Sequence, residues 1–173
     1  DFLAMEKINQ PHRPNTMRLP WADYSDPGIY FLTLCSVNRE PLFGKIVNSE
    51  MVTNQFGLIV WEVWKDLPKR YPQISIDTAI VMPDHFHGIV IIHENSVEIM
   101  NEHPIERGER RKMTIPLIVG YLKTNSSKRI NQLRNSPGVA VWQRGYFDRI
   151  LRDDKEYDEL SEYIFTNPQW WGI

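Results

Sequence analysis

Two apolar runs separated by a very short connector constrain the fold of this chain most strongly. Residues 74–81 alternate between apolar and polar side chains, and residues 85–93 are rich in branched apolar side chains, so both runs predict strands. Pro83 and Asp84 mark a turn between them. Because so short a connection cannot hold a crossover, the two strands are predicted to be antiparallel neighbours.

The other periodic segments surround this strand pair in a regular order. The apolar spacing predicts one strand and one helix before the pair, and a helix, a strand or hairpin, and a final helix after it. In chain order these are 29–37, 54–67 (a helix ended by Pro68), 115–133, 139–151 and 153–166. Asp153 is the predicted N-cap of the final helix, which should stop at Asn167 because Pro168 disfavours helical geometry there. The order β-α-β-β-α-β plus one helix predicts an α+β fold of the ferredoxin-like, split βαβ type. In that fold an antiparallel sheet has helices on one face, and here a C-terminal helix is added.

Length and composition fit a single domain. The 173 residues are predicted to form an N-terminal arm over 1–28 and one domain over 29–173. No apolar stretch reaches the roughly eighteen residues of a membrane span, and no apolar leader is present, so neither a membrane partner nor secretion is expected. The single Cys35 lies in an apolar run and predicts a buried thiol in a reducing, cytoplasmic setting.

The charge is concentrated in one part of the chain. The whole chain has a net charge of −2, but residues 105–152 contain 11 basic and 3 acidic side chains. A concentrated basic section is typical of a surface that follows a phosphate backbone. The alternative is that these charges are scattered over solvated faces.

The triplet His85-Phe86-His87 is a candidate metal site. On a strand both histidines point to one face and Phe86 to the other, and the two imidazoles then lie about 6–7 Å apart, close enough to share one divalent cation. The alternative is that one histidine caps the strand and the other is a core residue. The triplet alone favours neither reading.

A tyrosine and an asparagine on the final helix could complete such a site. Tyr163 and Asn167 are four residues apart, so on a helix they share one face. Tyr163 lies on the flank of the apolar stripe, where a substrate could reach it, although a boundary tyrosine that covers the core is the commoner role. Tyr146 and Tyr157 are rival nucleophiles, but Tyr146 lies in a predicted strand and Tyr157 within the apolar stripe.

Several motifs in fixed order resemble a known family. They are Asp-Tyr-Ser at 23–25, Gly-Ile-Tyr-Phe-Leu-Thr at 28–33, Asn-Arg-Glu-Pro-Leu-Phe-Gly at 38–44, Val-Met-Pro-Asp-His-Phe-His-Gly at 81–88, Trp-Gln-Arg-Gly-Tyr-Phe-Asp at 142–148 and Glu-Tyr-Ile-Phe-Thr-Asn-Pro at 162–168. With these motifs the chain resembles the one-tyrosine HUH transposases, specifically the REP-associated tyrosine transposases. The resemblance covers nearly the whole chain.

The resemblance implies a set of roles. His85 and His87 match the metal-ligating pair of the family, Tyr163 matches its nucleophile, and Asn167 matches the polar residue that completes the metal shell. It implies a Mg²⁺- or Mn²⁺-dependent endonuclease and strand transferase that forms a 5′-phosphotyrosine on single-stranded DNA with hairpin repeats, as a monomer or a homodimer. Two positions depart from the family pattern. Asp84 stands where asparagine is common and Arg149 where histidine is frequent, and neither was expected to touch the core chemistry.

Basic side chains in the second half of the chain are the candidates for contacts to the DNA backbone. Two alternatives remain beside the transposase: a catalytically idle nucleic-acid-binding module, and a nickase of the rolling-circle initiator type. A histidine-based nucleotide hydrolase is disfavoured because His93 lies too far along the strand to be a third ligand. The candidate DNA-binding residues are Lys123, Lys128, Arg129, Arg144 and Arg152.

Overall fold

The computed structural model describes residues 26–93 and 113–171. Most of the predicted arm therefore lies outside the described residues, and the domain boundary stays a prediction. None of the helices in the described ranges is long and apolar enough to cross a lipid bilayer. The strands are β1 (Gly28–Cys35), β2 (Gly44–Val47), β3 (Glu50–Thr53), β4 (Ile74–Val81), β5 (His85–Ile92) and β6 (Phe147–Leu151). The helices are α1 (Gln55–Arg70), α2 (Thr114–Leu133) and α3 (Asp154–Thr166), with 3-10 turns at Val37–Arg39 and Asn167–Trp170.

Four strands form one antiparallel sheet in the order β4-β5-β1-β6. The predicted hairpin pairs β4 with β5, and β1 pairs antiparallel with both β5 and β6. Strands β1 and β4 therefore run parallel with β5 between them, which is the split βαβ arrangement. The predicted ferredoxin-like fold is confirmed.

A small second sheet, the hairpin of β2 and β3, was not predicted. The apolar pattern predicts no element over residues 44–53. Asn48 and Ser49 turn the chain with φ values of 50° and 62°, and two consecutive left-handed residues are typical of a two-residue hairpin turn. The sequence signal was weak because neither turn residue is glycine and each strand has only four residues.

The two ends of α1 differ in how well the sequence predicted them. Asn54 is the N-cap, and its side-chain oxygen accepts hydrogen bonds from two backbone N–H groups. The prediction that Pro68 ends the helix was wrong, because α1 continues to Arg70. Proline in the last turn removes only its own N–H donor, and the Tyr71 N–H still donates to the Leu67 carbonyl at 2.8 Å.

The predicted N-cap and the predicted end of α3 are confirmed, but the non-helical geometry predicted at Asn167 was wrong. The Asp153 side chain accepts a hydrogen bond from the Glu156 N–H at 2.8 Å. The α-helix ends at Thr166, yet Asn167 keeps helical dihedral angles (φ −50°, ψ −43°) and begins the 3-10 turn. Pro168 is well suited to the start of that turn because its ring fixes φ near the helical value.

Only the end of the predicted strand or hairpin over 139–151 lies in the sheet. Strand β6 covers Phe147–Leu151, and the residues before it contribute one isolated bridge between Trp142 and Ser36. The apolar residues Val141 and Trp142 instead fill the main core, which explains why this segment looks strand-like in sequence.

The sheet separates two cores. The main core lies between one sheet face and helices α1 and α2, and it includes Phe86 and Trp64. Gly88 permits this packing, because a Cβ at that position would lie 2.8 Å from the Trp64 ring. The second core lies on the opposite face, beneath α3, and consists of Phe31, Ile89, Leu151, Leu160 and Ile164. The strands β1 and β5 are thus buried on both faces, and α3 covers the face to which His85 and His87 point.

Candidate active site

His85 and His87 lie side by side on the sheet face covered by α3. Their alternation on β5 directs both imidazoles to this face, as predicted, while Phe86 enters the main core. The ring centroids are 4.5 Å apart with the planes at 70°. Both side chains are almost fully buried, with 3% and 1% of their surface exposed. A buried pair of neutral imidazoles is a suitable half-site for a divalent cation.

Each histidine is oriented by a hydrogen bond at Nδ1. The Nδ1 of His87 lies 2.8 Å from Oγ1 of Thr33, its direct partner across the β1–β5 pairing. The Nδ1 of His85 lies 2.6 Å from Oδ1 of Asp84. The Nε2 atoms of both histidines are buried and have no hydrogen-bond partner. Buried polar atoms are rarely left unpaired, so these two nitrogens are ready to accept a ligand between them.

The Asp84 carboxylate forms an ion pair with the guanidinium of Arg39. Arg39 Nε lies 2.8 Å from Asp84 Oδ2, and its Nη1 donates to the sulfur of Cys35 at 2.9 Å. The expectation that Asp84 does not touch the core chemistry was wrong, because its carboxylate is bonded directly to His85. Arg149, the other departure, is exposed and pairs with Glu156 at 2.7 Å.

Burial favours the unprotonated form of both histidines. It lowers the pKa of His85 below the ordinary value of 6.5, and the hydrogen bond that His85 donates to Asp84 opposes this shift. The pKa of His87 is lowered further by its complete burial and by the neighbouring His85. Neutral imidazoles offer the lone pairs that a metal needs, so the pKa shifts favour ligation at neutral pH.

Tyr163 and Asn167 approach the histidines from α3 and the turn that follows it. The Tyr163 ring centroid lies 5.4 Å from that of His87, edge to face at 62°. Asn167 is buried, and its side-chain amide influences both neighbours, since it lowers the pKa of Tyr163 and raises that of His85. The structure thus brings together all four residues predicted for the site. The ring of Trp171 stacks on His85 with centroids 5.9 Å apart.

The Tyr163 phenol is not activated by the protein alone. Its partial burial raises the pKa above the ordinary value of 10, while Asn167 and the positive charge of Arg39 lower it to a smaller extent. A phenolate in this position therefore needs additional positive charge beside it. A cation at the paired histidines would supply that charge.

The donor set fits a divalent cation but contains only two histidines and one amide. The two unpartnered Nε2 atoms belong to rings whose centroids lie 4.5 Å apart, and Asn167 offers an amide oxygen, a donor that hard cations accept. Within residues 26–93 and 113–171, no group of three or more histidine, cysteine or carboxylate side chains surrounds a common point. A cation here would thus have an amide, water or substrate oxygen as its further ligands.

The two rival tyrosines have other environments. Tyr146 packs against the main core on the side of α2, with the Lys123 ammonium 5.7 Å from its ring centroid. Tyr157 packs against the second core, and its hydroxyl donates to Asp77 at 2.7 Å. That bond and burial raise the pKa of Tyr157. Tyr163 is the better nucleophile candidate because its ring is the one that lies against His87.

The five basic residues predicted to contact DNA lie in different settings. Lys123 donates to the carbonyls of Gln143 and Gly145 at 2.8 and 2.5 Å, so it also holds the loop before β6. Arg129 forms an ion pair with Glu62. The other three are exposed, and DNA binding stays a prediction for all five; these exposed residues are Lys128, Arg144 and Arg152.

Sequence comparisons relate the chain to two proteins of Haemophilus influenzae. One, an uncharacterized protein, is 35% identical over 167 residues, which cover 92% of this chain and 91% of the relative. The other, named "Putative REP-associated tyrosine transposase", is 24% identical over 154 residues, covering 84% and 73% of the two chains. No protein-family model matches the chain.

A solved structure has the same fold. It is that of a REP-associated tyrosine transposase bound to a REP hairpin, with a TM-score of 0.58 and 16% sequence identity. The match covers 94% of this chain and 74% of the other. Together, the named relative and the shared fold confirm the resemblance stated from the sequence motifs.

Proposed function

We propose that this chain, which resembles the REP-associated tyrosine transposases in sequence and in fold, cuts and rejoins single-stranded DNA at hairpin-forming repeats. The observation that supports this most strongly is the buried histidine pair, in which both Nε2 atoms are unpartnered and the ring of His87 lies against that of Tyr163. A module that only binds DNA needs neither a buried, unpaired imidazole pair nor a tyrosine against it. The hairpin in the structurally similar transposase supports hairpin DNA as the substrate class.

The proposed reaction is a transesterification at one phosphate. The Tyr163 oxygen attacks the phosphorus and its phenolic proton is released, while the bond between phosphorus and the 3′ oxygen breaks. The leaving 3′ oxygen takes up a proton, which yields a 5′-phosphotyrosine and a free 3′-hydroxyl. Because the new ester conserves the bond energy, another 3′-hydroxyl can attack it, so DNA strands are joined without a further energy source.

Each residue of the site has a separate task. His85 and His87, with Asn167, would hold Mg²⁺ or Mn²⁺, which would supply a Lewis acid for the charge that develops on the phosphate oxygens. Thr33 and Asp84 orient the two imidazoles through Nδ1. The helix α3 fixes Tyr163 relative to them because it packs on the second core.

A covalent-adduct assay tests the proposal. The protein is incubated with Mn²⁺ and a 5′- or 3′-labelled single-stranded oligonucleotide that contains a repeat hairpin, and the products are separated on a denaturing gel. We expect an adduct with the label on the 3′ side of the cut, which disappears in Tyr163→Phe and with EDTA. The matched controls are Tyr157→Phe and Tyr146→Phe, which should retain the adduct.

Two results would overturn the proposal. An adduct that survives in Tyr163→Phe and disappears in Tyr146→Phe would assign the nucleophile to the other tyrosine. Tight hairpin binding without any adduct, for every repeat tested and in either metal, would support the idle binding module instead.

A cytoplasmic location stays a prediction from the single cysteine.

A further inference from the structure

Arg39 is not one of the four residues predicted for the site, yet two short contacts connect its guanidinium to His85 through Asp84. Arg39 Nε meets Asp84 Oδ2 at 2.8 Å, and Asp84 Oδ1 meets His85 Nδ1 at 2.6 Å. The Asp84 side chain is buried, with 8% of its surface exposed, whereas that of Arg39 is 34% exposed. The charged carboxylate thus sits between one cation and one neutral imidazole, with each oxygen engaged.

We propose that Arg39 and Asp84 form a positioning pair that fixes the tautomer and the orientation of His85. An ionised carboxylate can only accept hydrogen bonds, so His85 must carry its proton on Nδ1 and present the bare Nε2 to the site. The inference rests on the proposed function, because its purpose is to prepare His85 as a ligand. Neither residue needs to touch the DNA for this role.

The two histidines differ in this respect. The partner of His87 Nδ1 is the Thr33 hydroxyl, which can either donate or accept and therefore does not select a tautomer by itself. The Asp84 carboxylate can only accept, so it selects the Nδ1–H tautomer of His85. Asparagine at position 84 could also either donate or accept, so the carboxylate adds a constraint that the amide lacks.

The backbone before β2 supports a dedicated role for Arg39. Asn38 and Arg39 have φ values of 52° and 58°, a left-handed conformation that side chains other than glycine rarely adopt. Such strain persists where the surrounding structure fixes it and is concentrated at functional sites. Here the turn is held by the Ser36 N–H, which donates to the Asp84 carbonyl at 2.9 Å, and by the Arg39–Cys35 contact. The conformation directs the Arg39 side chain to the Asp84 carboxylate.

Charge-conserving substitution separates positioning from simple electrostatics. Arg39→Lys keeps the positive charge but loses the planar guanidinium, which here meets Asp84 through Nε and Cys35 through Nη1. Arg149→Lys is the matched control, because Arg149 is an exposed arginine paired with Glu156 on β6 and α3. Asp84→Asn keeps the shape of the side chain but replaces one of its two acceptor oxygens with an NH₂ donor.

The first measurement is the tautomer of His85 in the metal-free protein, read from the nitrogen-15 shifts of its ring by NMR. We expect a pure Nδ1–H form in the unmodified protein and in Arg149→Lys. We expect a mixture of tautomers in Arg39→Lys and in Asp84→Asn. If His85 kept the pure Nδ1–H form in both Arg39→Lys and Asp84→Asn, the proposal would be overturned.

The second measurement is Mn²⁺ affinity without DNA, by titration calorimetry. Loss of an outer-shell partner typically weakens metal binding about 10–100-fold, and we expect the lower end of this range for Arg39→Lys and no change for Arg149→Lys. Equal affinities in these two lysine variants would overturn the proposal. Both readouts are independent of the adduct assay. If the protein formed no adduct at all, the proposed function would fail, while the tautomer would still decide whether Arg39 and Asp84 position His85.

Discussion

Gly88 offers a sharp test of how the fold supports the site, because it lies directly after His87 on β5. A Cβ at Gly88 would lie 2.8 Å from Cη2 and Cζ2 of Trp64 and 2.9 Å from Cζ of Phe86. Carbon atoms pack favourably at about 3.5–4.0 Å, so Gly88→Ala would overlap two rings at once. Both rings are fully buried and pack on each other with centroids 4.9 Å apart, which leaves neither of them room to retreat.

The expected change in the free energy of unfolding combines two terms. Inserting a methyl group into a packed core costs about 1–3 kcal/mol. Replacing glycine by alanine within a strand returns about 0.5–1 kcal/mol, because the unfolded chain has less freedom to lose. We therefore expect Gly88→Ala to destabilise the protein by up to about 2.5 kcal/mol in urea denaturation followed by circular dichroism.

The chain contains a matched control for the same substitution. Gly120 lies within α2 with no atom inside 4 Å of an added Cβ, so Gly120→Ala should stabilise the protein by about 0.5–1 kcal/mol. Trimming the ring with Trp64→Phe should reduce the cost of Gly88→Ala, with a coupling of at least about 0.5 kcal/mol. If Gly88→Ala were stabilising, or strictly additive with Trp64→Phe, the reasoning about close approach would be refuted.

Two further predictions concern the histidines. Thr33→Val replaces the hydroxyl at His87 Nδ1 by a methyl group of similar size. The free energy of unfolding should fall by about 1–3 kcal/mol in urea denaturation, because a buried ring nitrogen loses its partner. Thr33→Ser keeps the hydroxyl and should retain most of the stability, so equal losses in the two variants would contradict the role of the hydroxyl. Because the pKa values of His85 and His87 are lowered in the folded protein, the unfolded chain takes up protons first as the pH falls through 6.5. The free energy of unfolding in EDTA should therefore be constant above pH 6.5 and decrease below it, by up to about 1.4 kcal/mol per pH unit for each histidine. A free energy of unfolding that stayed constant down to about pH 5.5 would show that the histidines are not held neutral.

The sequence predicted best where one periodic pattern decides the structure. The alternation around Phe86 placed both histidines on one face, and the spacing of Tyr163 and Asn167 placed both on one side of α3 and the turn that follows it. The tight turn at Pro83 determined the pairing of β4 and β5. These features depend on local geometry, which residue order alone specifies.

The parts that could not be predicted depend on contacts between distant segments. Nothing local indicates that Arg39 reaches Asp84, or that Thr33 stands opposite His87, because both follow from the pairing of β1 with β5. The motif at 38–44 could have hinted at Arg39, since it recurs in the family resemblance without an assigned role. Val141 and Trp142 misled in the opposite direction, because a core-filling loop and a strand have the same apolar composition.

The separation of the two cores by one sheet has a consequence for how substitutions act. Residues between the sheet and the pair α1–α2 set the global stability, while the five residues beneath α3 set the position of Tyr163 relative to the histidines. Folded proteins open in cooperative units, and α3 with its small core forms a natural unit of this kind. Mutations there can alter the geometry between the nucleophile and its histidines while the rest of the domain stays folded, so that activity and stability can change independently in this architecture.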